Sequence, residues 1–173
     1  MIRAVFHGLV QSGVTSPEML LNELNSFLLT HLRRVKMMSC FAGAVRSDGT
    51  LFFSNAGQAF PFLLSKAGAE QIKQVGFPLG ASKKRSFKLE KLLLNGPCQI
   101  VLFSDGIIEA MNPEGEMFGY TRLVAMLKSF MPILDVEEFY EQANTQLQRF
   151  TRNAPWEDDV TLAVLEYKPN QIE

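Results

Sequence analysis

Ile100-Val101-Leu102-Phe103-Ser104-Asp105-Gly106 is an apolar run that ends abruptly on an acid and a glycine. With Gly96-Pro97 as a break before it, the run reads as a strand over Gln99–Ser104. It is apolar on both faces, as a strand is when both sides of its sheet are covered. Near the other end of the sequence, Trp156-Glu157-Asp158-Asp159-Val160-Thr161 passes from three acids into a second strand, Val160–Tyr167. There Val160, Leu162 and Val164 alternate with Thr161, Ala163 and Leu165, which again predicts burial on both faces. Covered strands in a chain that also has long helices predict an α+β fold: an αββα-type sandwich of stacked, mainly antiparallel sheets flanked by helices.

Upstream, Ile2, Val5, Phe6, Leu9 and Val10 follow helical spacing, and Gly13 closes that helix. No capping residue precedes it, so the chain reads either as cut from something longer or as a frayed natural N-terminus. A second helix is capped by Ser16, with Pro17 and Glu18 in its first turn and Leu20, Leu24, Phe27, Leu28 and Leu32 as its buried stripe. Ser39–Val45 and Thr50–Ser54 form a hairpin around Ser47-Asp48-Gly49. Further strands are expected at Phe60–Ser65, Gln71–Val75 and Ser86–Leu89, with a turn at Lys66-Ala67-Gly68. Helices return at Tyr120–Phe130 and, capped by Asp135, at Val136–Phe150.

The 173 residues are 47% hydrophobic and 20% charged, which argues against disorder and is enough for a real core. A net charge of −1 gives no electrostatic case for nucleic acid, and Lys83-Lys84-Arg85 reads as a solvated turn. Cys40 and Cys98 sit in apolar strand-like runs, as buried reduced thiols do. No stretch is long and apolar enough to span a membrane and no secretory signal is visible, so a cytoplasmic address is expected.

The chemistry is expected where the two acidic stretches meet their strands. Unpaired carboxylates at a sheet edge are costly where burial strips their water, and a bound hard cation such as magnesium or manganese offsets that cost. Taken alone, each stretch is better read plainly: Asp105-Gly106 as an ordinary turn and Asp158-Asp159 as the solvated start of a strand.

A resemblance bears on this choice. Leu102-Phe103-Ser104-Asp105-Gly106-Ile107-Ile108-Glu109-Ala110, followed by Asn112-Pro113-Glu114-Gly115-Glu116-Met117-Phe118-Gly119, resembles the second metal motif of the bacterial SpoIIE-like branch of the protein phosphatase 2C-type (PPM) family. Asp158-Asp159-Val160-Thr161-Leu162 resembles its closing Asp-Asp-x-Thr motif, Ser54-Asn55-Ala56-Gly57-Gln58 its Asn-Ala-Gly-His segment, and Gly76-Phe77-Pro78-Leu79-Gly80 its Pro-Leu-Gly element. The likeness runs in order along essentially the whole chain. It implies a metal set of Asp105, Gly106 and Asp158 around a pair of Mn2+ or Mg2+ ions, with Asp105 binding or bridging them and Gly106 letting the backbone approach closely. Asp159, Thr161, Glu109 and Asn55 would form the supporting shell. Gly76, Pro78, Leu79 and Gly80 would be either a regulatory switch segment or a plain turn.

The family's first motif, Asp-x-x-Gly-His-Gly, is absent, and Gln58 stands where relatives carry His. The resemblance therefore implies a single phosphatase 2C-like domain over 1–173 that is truncated at its N-terminus and lacks its first strands. Its implied activity is metal-dependent hydrolysis of phosphoserine or phosphothreonine, through metal-activated water, on a STAS-type anti-sigma-factor antagonist. An upstream sensory or receiver domain is implied as a further partner, and the unpaired sheet edges invite homodimerisation. Two other readings stand beside this one: a metal-poor pseudophosphatase that binds a phosphoprotein, and a purely structural fragment.

Overall fold

A computed structural model describes residues 2–31, 37–152 and 154–169. These residues hold five helices and seven strands in an α+β arrangement with antiparallel sheets. The described residues fall into two compact units, one within residues 2–58 and 74–95 and one within residues 59–73 and 96–169.

The first unit opens with α1 (Ile2–Gln11) and α2 (Pro17–His31). Gly13, at φ +90°, ends the first helix as its spacing predicted, and Val14 N–H turns back to the Leu9 carbonyl. Ile2, Val5 and Leu9 pack on the core, whereas Phe6 and Val10 from the same apolar stripe stay exposed. Ser16 holds the start of α2 through its carbonyl, which accepts from Leu20 N–H, while its hydroxyl donates to the Glu18 carboxylate. Leu20, Leu24 and Leu28 are buried as expected, joined by Leu21 and Leu29; Leu32 lies outside the described residues.

The sheet of this unit orders β1 (Cys40–Val45), β2 (Thr50–Ala56) and β5 (Glu90–Leu93) side by side. Gly49 at φ +82° makes the β1–β2 turn, and the Asp48 carboxylate accepts from Thr50 N–H at 2.8 Å. The strand expected at Ser86–Leu89 begins four residues later, where Lys91 pairs with Phe52 and Leu92 with Leu51. Lys83 and Lys84 do form a turn, and the Arg85 guanidinium lies 3.4 Å from the centre of the Phe77 ring.

The second unit orders β4 (Gly68–Gln71), β3 (Phe62–Ser65), β6 (Cys98–Phe103) and β7 (Leu162–Tyr167), with α3 (Asp105–Glu109), α4 (Gly119–Ser129) and α5 (Val136–Thr151). The strand expected at Gln71–Val75 is displaced: Gly68 starts β4 directly after the turn, because Ser65 pairs with Gly68 and leaves no room for a longer loop. Asp135 caps α5 by accepting from Glu138 N–H at 2.8 Å. Phe62, Val101, Phe103, Leu123, Leu127, Phe130 and Phe139 form the core of this unit.

Burial on both faces holds for β6, which has neighbours on either side, and Gln99 is wholly buried within it with its amide donated to the Leu134 carbonyl. It does not hold for β7. That strand has a partner only on its β6 side among the described residues, and Ala163 and Leu165 are exposed. Leu162 and Val164 therefore mark its one covered face, a common condition in an antiparallel sheet.

Candidate metal centre at the β6–α3 junction

Phe103 and Leu162 are the last paired residues of β6 and β7, and the two chains stay in contact one step further on. Ser104 N–H donates to the Thr161 carbonyl at 3.0 Å, Thr161 N–H donates to Ser104 Oγ at 2.9 Å, and Ser104 Oγ donates to the Asp159 carbonyl at 3.0 Å. Ser104 stands at the N-cap of α3, where a serine hydroxyl ordinarily accepts from the helix's own first amides. Here it reaches across to the other strand instead. One residue further, the backbones of Gly106 and Asp159 touch: a Cβ placed on Gly106 would lie 2.6 Å from the Asp159 carbonyl oxygen. This close approach is what requires glycine at 106.

The consequence is positional. Asp105 directly precedes Gly106, and Asp158 directly precedes Asp159, so the clasp fixes both acids on either side of one backbone contact. Asp105 opens α3, and Asp158 Oδ1 accepts from the Asp159 N–H at 2.7 Å. Glu109 ends α3 on the exposed side. Thr161 enters through its backbone, and Asp159 through its carbonyl. Ser104 was missed by sequence reasoning, which counted it as the last residue of a strand; the signal available was a serine immediately before an acid and a glycine.

All three aspartates are exposed, so the cost of desolvating carboxylates, expected from the sequence, does not apply to them. What remains is the meeting of their backbones at the Gly106–Asp159 contact. Among the described residues no three His, Cys, Asp or Glu side chains come together as a metal-binding group. A magnesium-like ion keeps several of its waters and takes one or two carboxylates from a protein; Asp105 and Asp158 are the carboxylates that flank the Gly106–Asp159 contact. A second ion a few ångström away needs further anionic bridging to offset repulsion, and the described residues do not supply it.

Asn55 and the segment 76–80 belong to the first unit, and the structure gives them a separate architecture. Asn55 is buried; its amide donates to the carbonyls of Gln58 and Gln74, and its Oδ1 accepts from Gln58 N–H. Gly76 lies so close that a Cβ there would stand 1.9 Å from the Asn55 carbonyl oxygen, and Pro78 packs on Gly57. Leu79 is fully buried and exchanges two backbone bonds with Met38, while Gly80 N–H donates to Oδ1 of the buried Asn25. Asn25 also donates to the Ser82 carbonyl. The Pro-Leu-Gly element is thus bonded into α2 and the β1–β2 end of its unit rather than standing as a free surface turn.

The stage II sporulation protein E (SpoIIE) family matches residues 1–168. Among solved structures, the SiaA-PP2C domain of Pseudomonas aeruginosa superposes with a TM-score of 0.82 over 96% of this chain and 68% of that one, at 18% identity. The RsbU and RsbW domains of a Mycobacterium tuberculosis protein match with a TM-score of 0.74 over 98% of this chain and 47% of that one, at 21% identity. Protein IcfG of Synechocystis is 27% identical over 106 residues, which are 60% of this chain and 17% of that protein. The chain therefore spans a small part of its curated relative and about half of the second of these structures.

Proposed function

Since the chain belongs to the SpoIIE family, we propose that residues 1–173 act as one metal-dependent serine/threonine protein phosphatase domain. On this reading it removes phosphate from phosphoserine or phosphothreonine on a regulatory protein of the STAS, anti-sigma-factor-antagonist type. The observation that carries the reading is the Ser104 clasp, which sets Asp105 and Asp158 on either side of one contact at the end of the β6–β7 pair. The RsbU and RsbW domains found in one neighbour support a partner-switching context. RsbX, another neighbour, was solved with magnesium, and a Bacillus subtilis SpoIIE phosphatase domain was presoaked with manganese; both support a divalent ion here.

A bound divalent ion supplies Lewis acidity and a nucleophile at neutral pH by lowering the pKa of its water. The chain's own residues do the rest. Asp105 and Asp158 hold the cation, and Ser104 and Gly106 keep their two segments in register. Glu109, Asp159 and Thr161 support those segments. No phosphoenzyme is required, so Cys40 and Cys98, whose thiols burial pushes up, keep a packing role. The anionic bridge for a second ion has to come from residues other than those described, so the chain alone is expected to be weakly active. The address is cytoplasmic on this reading; no helix among the described residues is long and apolar enough to cross a membrane. An upstream sensory or receiver domain would supply input, and the one-sided β7 edge offers a surface for a homodimer.

The absence of a three-donor group among the described residues favours a second reading, a pseudophosphatase that binds the phosphoprotein without hydrolysing it. One experiment separates the two: a phosphoserine-bearing STAS-domain protein incubated with the chain and manganese. Slow release of phosphate that is lost in Asp105→Asn supports the enzyme. Binding without release supports the second reading, and neither binding nor release refutes both.

A further inference from the structure

A groove of about 570 Å³ opens in the second unit between the β3–β4 face and α4. Phe60 and Phe62 supply an apolar floor, and Tyr120, Val124 and Lys128, spaced four residues apart, put one face of α4 along the side. Lys73 stands at the β4 side. Neither the Lys73 nor the Lys128 ammonium group has a hydrogen bond or an ion-pair partner among the described residues, and no carboxylate lines the groove. An apolar trough with two uncompensated ammonium groups favours a ligand that is itself apolar along its middle and negative at its edges.

The dimensions narrow the ligand further. From Tyr120 to Lys128 the helix rises about 12 Å, which is the reach of about four extended residues. The groove also connects to the acids: the Tyr120 ring meets Phe103 edge-on at 6.2 Å, Phe103 packs on Phe62, and Phe103 directly precedes Ser104 and Asp105.

We propose that this groove docks an extended acidic peptide segment of a partner protein, with an apolar residue over Phe60 and Phe62 and carboxylates reaching Lys73 and Lys128. That the partner is the phosphatase substrate rests on the reading above; that the groove binds acidic peptide does not.

The test uses a fluorescein-labelled peptide of about eight residues alternating glutamate with leucine, long enough to overhang the groove. Anisotropy is read in EDTA, so that a failure here is separate from any failure of metal binding or catalysis. Saturable binding is expected, falling with added salt. Lys73→Glu with Lys128→Glu should weaken it roughly tenfold, the scale of losing two screened ion pairs. The same double variant should gain affinity for a lysine-leucine peptide. Lys73→Gln with Lys128→Gln, checked by circular dichroism, covers the case in which charge reversal disturbs folding. Equal binding by wild type and both double variants would overturn the proposal, as would equal affinity for a glutamine-leucine peptide. Concentration-dependent self-association abolished by Val124→Arg, with no peptide binding, would also overturn it and assign the groove to a second copy of this chain.

Discussion

Gly106→Ala is a direct test of how the β6–α3 junction is built. The added methyl would stand 2.6 Å from the Asp159 carbonyl oxygen, 3.2 Å from its carbon and 3.3 Å from Val160 Cγ2. The nearest atoms are backbone, so no flexible side chain can swing aside. The segment at 159–160 has to move away from α3, and both Ser104 hydroxyl bonds stretch with it. Those bonds are solvent-exposed and contribute about 0.5 kcal/mol each. Forcing a methyl into a filled contact costs about 1–3 kcal/mol, while alanine returns about 1 kcal/mol of helix propensity. The net is a destabilisation of about 1–3 kcal/mol, or roughly 3–10 °C in melting temperature for a chain of this size. Gly8→Ala is the matched control: Gly8 lies inside α1 with nothing within 4 Å of a new Cβ, so stability should rise by about 0.5–1 kcal/mol. Thermal and urea unfolding of both variants measure the difference. If Gly106→Ala melts at or above wild type while Gly8→Ala behaves as expected, the close approach of α3 to the strand entering β7 is wrong.

Three further outcomes follow from the same geometry. Gly76→Ala, with its methyl 1.9 Å from the Asn55 carbonyl oxygen, should cost about 3 kcal/mol or more and appear as loss of cooperative unfolding in the first unit. Asn25→Ala strands the buried Gly80 N–H, which should cost about 1–3 kcal/mol and speed hydrogen exchange at Gly80. The Asp48 carboxyl is held below the usual range by the Thr50 bond and by Arg46, so its stabilising contribution is present above the unfolded-state pKa and is lost as pH falls through the lower folded value. A carboxyl titration by NMR should place Asp48 below an ordinary aspartate; a midpoint at or above the ordinary value would contradict the hairpin bond.

Much of this was legible in the sequence because local chemistry dictated it. Gly13, Gly49 and Asp135 end, turn and cap their elements as composition required. The strands after Gly68 and after Ser86 were misplaced because pairing register, set by Phe62 with Gln71 and by Phe52 with Lys91, outweighs the apolar runs that suggested them. The final strand looked doubly buried because an edge strand in a small sheet can expose leucine and alanine without penalty large enough to show in its pattern. The two acidic stretches do stand where β6 ends and β7 begins, but the serine that ties those segments together was not legible. Ser104 and the Gly106–Asp159 contact link residues far apart in sequence, and no local spacing announces such a pair. Asn25, which anchors Gly80 from a helix read for its first turn and its apolar stripe, was hidden in the same way.

In the proposed function, Asp105 and Asp158 together hold one hard cation. Isothermal titration with manganese measures this on wild type, Asp105→Asn and Asp158→Asn at matched folding. One saturable ion per chain in the wild type, lost in each variant, is the expected result. Unchanged manganese binding in both variants would contradict it.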